Sequence, residues 1–229
     1  MTNHELLKNH KAYPLPRLDF GVLDNLYGFP AKNLIIRSKK EFTYEQFQRA
    51  KGLLTELNQD YGIATPLLRI SSPPTDGRQM VVVQKIQGIL LADTVLQGNN
   101  FLASINGLCG GLMRYAQDKF ENGGEYLLDM QLKQFMWGRR RTDKEDKPYF
   151  VDLDPRIGVY NPERPGDKIH FIQALPVDIA EMILSFESKY GKGSISARKD
   201  FQIFTSKILQ DKNTRNFVAN HLPIYSKFT

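Results

Sequence analysis

The sequence predicts an α+β chain in which a small antiparallel sheet comes first and helices follow. Three observations carry that expectation. Before residue 90 the apolar residues come in short runs punctuated by glycine and proline. One of these, Met80-Val-Val-Val-Gln-Lys-Ile86, has the β-branched continuity of a central strand. After residue 100 apolar residues instead recur every three or four positions over long stretches, as in 101–120 and 176–190. Between them lies EYLLDMQLKQFMWGRRRTDKEDKPYFVDLDPR, residues 125–156, where two short apolar runs flank a charged segment. That is the pattern of a strand pair with a solvated tip.

The 229 residues are enough for one domain or two small lobes, and 41% apolar with 24% charged residues is ordinary for a globular chain. The N-terminus, MTNHELLKNHKAYPLP, lacks the apolar core of a secretory signal, and no apolar stretch approaches the roughly 20 residues of a bilayer span. A cytoplasmic location without a membrane span is the expectation. One cysteine, Cys109, excludes an intrachain disulfide and any multi-cysteine zinc site; in its Leu-Cys-Gly-Gly-Leu setting it reads as a small core residue.

Residues 1–17 read as a polar arm broken by Pro14 and Pro16. Runs at 18–23, 26–29 and 34–37 suit three strands of a meander. Thr43 is placed as a helix N-cap, with Phe47, Ala50, Leu53, Leu54 and Leu57 forming one apolar face and Gly62 ending the helix. Strands at 65–70 and 80–86 flank the turn Ser71-Ser-Pro-Pro-Thr-Asp-Gly77. A short helix is expected over 89–96, then the long helix 101–120, in which Gly110-Gly111 implies close packing or a bend. After the central stretch, 157–160 and 168–172 read as strands. Residues 176–190, 196–209 and 213–222 read as helices. His170, in an apolar strand-like run with no partner motif, reads as structural.

Asp129-Met-Gln-Leu-Lys-Gln134-Phe-Met-Trp, followed by Phe150-Val-Asp152, resembles the catalytic segment of kinase-like phosphotransferases, the aminoglycoside and small-molecule kinase branch more than the protein kinases. The resemblance covers roughly residues 18–160. It implies a two-lobed, protein-kinase-like fold: a small antiparallel sheet lobe with one helix over 18–88, and a mostly helical lobe over 89–229. It also implies ATP and magnesium as cofactors and a hydroxyl-bearing acceptor. Carried over by position, Asp129 orients the acceptor or acts as base, while Gln134 and Asp152, with Asp154, hold magnesium. Arg37, Lys39 or Lys40 contacts the nucleotide phosphates; alternation along a strand puts Arg37 and Lys39 on one face. Glu56, or alternatively Glu45, is the glutamate of the following helix. Gln84 and Ile86 lie in the hinge that offers its backbone to adenine.

The chain departs from the pattern. Leu127-Leu128 precede Asp129, position 134 is Gln rather than Asn, Asp152 is followed by Leu-Asp, and no glycine-rich phosphate loop is present. A catalytically inactive binding module on the same fold is therefore a second expectation. A third reading rests on the net charge of +6 and on Arg139-Arg140-Arg141, which suit nucleic acid or an acidic protein. Asp143, Glu145 and Asp146 follow that run at once, so a solvated loop tip is preferred.

Overall fold

A computed structural model describes residues 13–14, 25–29, 34–39, 43–66, 68–70, 79–94, 98–152 and 155–229. The expected strand at 18–23, the turn at 71–77, Lys40 and Asp154 lie outside the described residues. The architecture is α+β. Strands β1 (Tyr13–Pro14), β2 (Asn25–Phe29), β3 (Leu34–Lys39), β4 (Leu68–Ile70) and β5 (Gln79–Gln84) form an antiparallel sheet in the order β1-β2-β3-β5-β4. Part of the expected loose arm is thus paired, since Tyr13 and Pro14 sit opposite Gly28 and Tyr27. The proline is tolerated there because β1 is an edge strand.

Helix α1 (Tyr44–Gln59) starts as the sequence expects. Gln46 N–H donates to Thr43 Oγ1 at 3.2 Å and Thr43 N–H donates to Gln46 Oε1 at 2.8 Å, a reciprocal cap that satisfies two orphan donors. Its buried face is Phe47, Ala50, Leu53, Leu54 and Leu57. Gly62 follows at φ 72°, where a side chain would be strained. Helix α2 (Asn99–Asn122) runs through Gly110 and Gly111 without interruption. Close approach explains the second glycine: a Cβ on Gly111 would lie 2.6 Å from the carbonyl oxygen of Tyr61. Arg114 donates to that same carbonyl at 3.0 Å, and Tyr61 Oη donates to Asp118 at 2.8 Å, so the exit of α1 is fastened along α2.

Two expectations are corrected. Residues 89–94, the described part of the expected helix, are not helical: β6 (Gln87–Leu90) pairs with β8 (Phe135–Arg139), which in turn pairs with β9 (Lys147–Phe150). The partner of β6 lies far along the chain and leaves no trace in the local pattern. Gly88 sits opposite Gly138, and a Cβ on either would collide with a carbonyl of the facing strand. Residues 168–172 are not a strand but part of α3 (Pro165–Gln173). Five residues are too few to separate the two periods, while Pro165 and Asp167 at the first turn suit a helix start.

β7 (Gly124–Leu127) pairs with β10 (Ile157–Tyr160), closing the central stretch at its base. Helices α4 (Leu175–Tyr190) and α5 (Ala197–Ile208) pack on α2, α3 packs on α4 and β10, and α6 (Lys212–His221) leads into the last turn, Pro223–Lys227. The core they share is aromatic. Phe171 packs against Tyr160 (4.9 Å between centroids), Tyr126 (5.0 Å) and Phe120 (6.1 Å). Residues Pro165–Tyr190 have the length and apolar content of a membrane span among the described residues. They form two helices broken at Ala174, and more than half of the apolar window is buried inside the protein, as core helices are. Cys109 is buried in this core, where desolvation pushes its thiol up to about 12.

Candidate functional site

The ribbon β8–β9 carries the residues singled out by sequence, one group at each end. At the tip, Arg140 forks onto Asp143 (Nε to Oδ2 3.0 Å, Nη2 to Oδ1 3.0 Å), and Tyr149 Oη donates to the same carboxylate. The guanidinium holds Asp143 well below the usual carboxylate range, while burial pushes Tyr149 up to about 12. Arg139 lies 3.7 Å from Asp146. Two arginines of the basic run are thus matched by carboxylates of the same tip.

At the base, a single helical turn (Leu132–Gln134) delivers Gln134 into β8. Gln134 makes two bonds that gather the candidate residues. Its Nε2 donates to Asp129 Oδ2 at 3.1 Å, and its carbonyl accepts from Val151 N–H at 2.8 Å, next to Asp152. Asp129 is nearly enclosed, with its side chain 12% exposed. Its Oδ2 also lies 3.8 Å from the Arg156 guanidinium, while its Oδ1 is buried without a hydrogen-bond partner. Ile86, Ala64 and Tyr149 form a small apolar cluster with Met136 and Val151 packed against it. Phe150 N–H donates to the Ala64 carbonyl at 2.9 Å, which ties the exit of α1 to β9.

Asp178, in the first turn of α4, was missed by sequence reasoning. It is buried, and its Oδ2 accepts from Met130 N–H at 2.7 Å, bracing the loop beyond Asp129. A recess of about 310 Å³ lined by Gln131, Lys133, Asp178, Glu181, Met182 and Ser185 opens beside that loop. Desolvation pushes the Asp178 carboxyl from its ordinary 3.8 up to about 6; the charges of Asp129 and Glu181 add to the rise, while the Met130 N–H and Lys133 oppose it. The folded protein therefore holds this proton at a pH where the unfolded chain has lost it. Stability should fall as pH rises through the window from 3.8 to about 6. Asp178→Asn, which keeps an acceptor for Met130, should flatten the melting temperature across that window; an unchanged slope would assign it to another group.

Glu56 is on α1 and its carboxylate is engaged by Lys119 of α2 at 2.6 Å. Arg37 and Lys39 lie on β3, between β2 and β5. Gln84 ends β5 with its Oε1 buried and unpartnered, and buried Ile86 stands in the link to β6. Glu45 is in the first turn of α1. Among the described residues no three His, Cys, Asp or Glu side chains form a metal-binding group. Asp178 and Lys119 had a faint signal, each being a charge within an apolar helical stripe. Arg156 had none.

No family model matches the sequence, and no curated protein matches it. Among solved structures the chain is similar to the aminoglycoside phosphotransferase APH(3'')-Id of Streptomyces rimosus, at 10% identity over 98% of this chain and 99% of that one, with TM-score 0.45. It is similar to a microcompartment-associated aminopropanol kinase, at 11% identity over 98% and 93%, with TM-score 0.45. It is also similar to the PknI kinase domain of Mycobacterium tuberculosis, at 16% identity over 62% of this chain, with TM-score 0.34. The chain spans 57% of that domain's length. Its own elements run as an antiparallel sheet with one helix, a joining ribbon and a helical half.

Proposed function

We propose that the chain is a phosphotransferase that binds ATP with magnesium and transfers the γ-phosphate to a hydroxyl acceptor. The observation that carries this reading is the double engagement of Gln134, which gathers Asp129 and the start of the Asp152 segment around one residue. Its Nε2 is committed to Asp129, so the side-chain atom it offers a cation is Oε1. Amide and carboxylate oxygens from Gln134 and Asp152 are the donor chemistry magnesium takes, and Asp154 follows close in sequence. Oδ1 of Asp129 accepts no hydrogen bond from the chain, so the carboxylate keeps acceptor capacity, and the loop enclosing it would have to open for the hydroxyl of the second substrate to reach it. The metal would neutralise charge on the phosphates. Asp129 would orient the hydroxyl and accept its proton, and Ile86 with Met136 and Val151 would give the adenine an apolar seat. Arg37 or Lys39, on the central strand β3, would steady the phosphates.

A second reading, a nucleotide-binding module without turnover, is favoured by two pairings. Glu56 is held by Lys119 and Asp129 is approached by Arg156, so two acids of the site already face cations. Thermal unfolding with ATP, with and without magnesium, tests both. A ligand at 100 times its Kd adds about 2.7 kcal/mol, several degrees for a chain of this size. A magnesium-dependent rise is the expected result. A rise independent of metal would favour the second reading, and no rise at saturating nucleotide would overturn both.

A further inference from the structure

We infer that Arg156 is a phosphate-gripping residue held in reserve on Asp129, and that it changes partner when a nucleotide triphosphate binds. This inference rests on the nucleotide-binding reading above. Three features point to it. The backbone of Arg156 is fixed: its carbonyl accepts from Leu128 N–H at 2.9 Å, immediately before the β10–β7 pairing. Its side chain, by contrast, is 77% exposed, so a rigid base carries a solvated head. That head stands 3.8 Å from Asp129 Oδ2, beyond hydrogen-bond reach, and on the oxygen that already accepts from Gln134. The other oxygen, Oδ1, is buried and receives nothing.

At 3.8 Å the pair makes no hydrogen bond, the arginine head is already solvated, and enclosed Asp129 keeps its bond from Gln134 when that head leaves, so little is lost on leaving it. A phosphate offers the guanidinium fork a bidentate partner with more charge than a carboxylate already bonded elsewhere. Asp129, which Arg156 faces, is joined through Gln134 to Val151, the neighbour of Asp152, so the guanidinium belongs to the same cluster as the proposed metal ligands. The exchange would have two effects at once. It would add a charge-assisted contact to the nucleotide, and it would remove a cation from Asp129 when that carboxylate must accept a proton. The chain lacks a glycine-rich phosphate loop, and an arginine from the opposite side of the site would compensate for that departure.

The test is titration calorimetry of ATP, ADP and adenosine, each with magnesium, against the wild type, Arg156→Ala and Arg156→Lys. Arg156→Ala should weaken ATP about ten- to a hundredfold, the range for losing a hydrogen bond to a charged group. Adenosine should bind both proteins alike, and Arg156→Lys should fall between them for ATP. Equal or tighter ATP binding by Arg156→Ala would overturn the inference while leaving the nucleotide site standing. An equal loss for ATP and adenosine would also overturn it, by pointing to disturbed local structure. Failure of the wild type to bind ATP would remove the site and the inference together.

Discussion

Asp152→Ala is expected to abolish the magnesium-dependent part of nucleotide binding while leaving the fold intact. Asp152 is partly exposed and follows Val151, whose N–H is bonded to Gln134, so the backbone that positions it is secured by a neighbouring residue. Removing the carboxylate therefore costs the site its main anionic oxygen without opening the core. Removing an outer partner of a metal ligand costs 10–100-fold in affinity, and a direct ligand should exceed about 100-fold. Calorimetry with ATP in the presence and absence of magnesium reads this directly. If Asp152→Ala kept the magnesium dependence of the wild type, the cation would have to be held elsewhere, and Gln134 would lose its proposed role.

The largest effect on stability is expected at Phe171. It is fully buried in α3, and its ring meets Tyr160, Tyr126 and Phe120, which come from β10, β7 and α2. Phe171→Ala should cost about 3–5 kcal/mol, because three separate elements close on this ring and cannot all collapse into the space. Urea unfolding should show a lowered midpoint with little change in slope. Ile203→Ala, on the exposed face of α5, is the control and should stay within about 0.5 kcal/mol. A loss at Phe171 no larger than the control would mean that α3 packs loosely.

Features encoded within a few residues were legible in the sequence. Thr43 and Gln46 announce the start of α1 because both partners of the cap lie in one turn. The charged tip between Trp137 and Tyr149 announces a hairpin because strand, turn and strand are consecutive. Gln134 could be placed beside Asp129 for the same reason: the bond spans five residues. Features that depend on distant partners were not legible. Gln87–Leu90 became a strand because Met136 to Arg139 lie opposite it, and the short apolar run carried no sign of that partner. Asp178 braces Met130 from 48 residues away, and Lys119 reaches Glu56 across two helices. In sequence these residues are isolated charges among apolar neighbours; their meaning lies in what they face.

The facing glycines of β6 and β8 have a consequence for the order in which the chain can assemble. β6 is synthesised before α2, β7 and β8, so it waits without its partner while roughly the next fifty residues are made, with Ile89 exposed along it. A slip of one residue would set Gln87 or Ile89 against Gly138, where there is no room for a side chain. The waiting strand can therefore accept only one alignment when β8 arrives. The link between the first sheet and the ribbon is then completed late, after the long helix and the Asp129 loop have been laid down. Long-range pairings of this kind slow folding, and here the two glycines make the slow step selective.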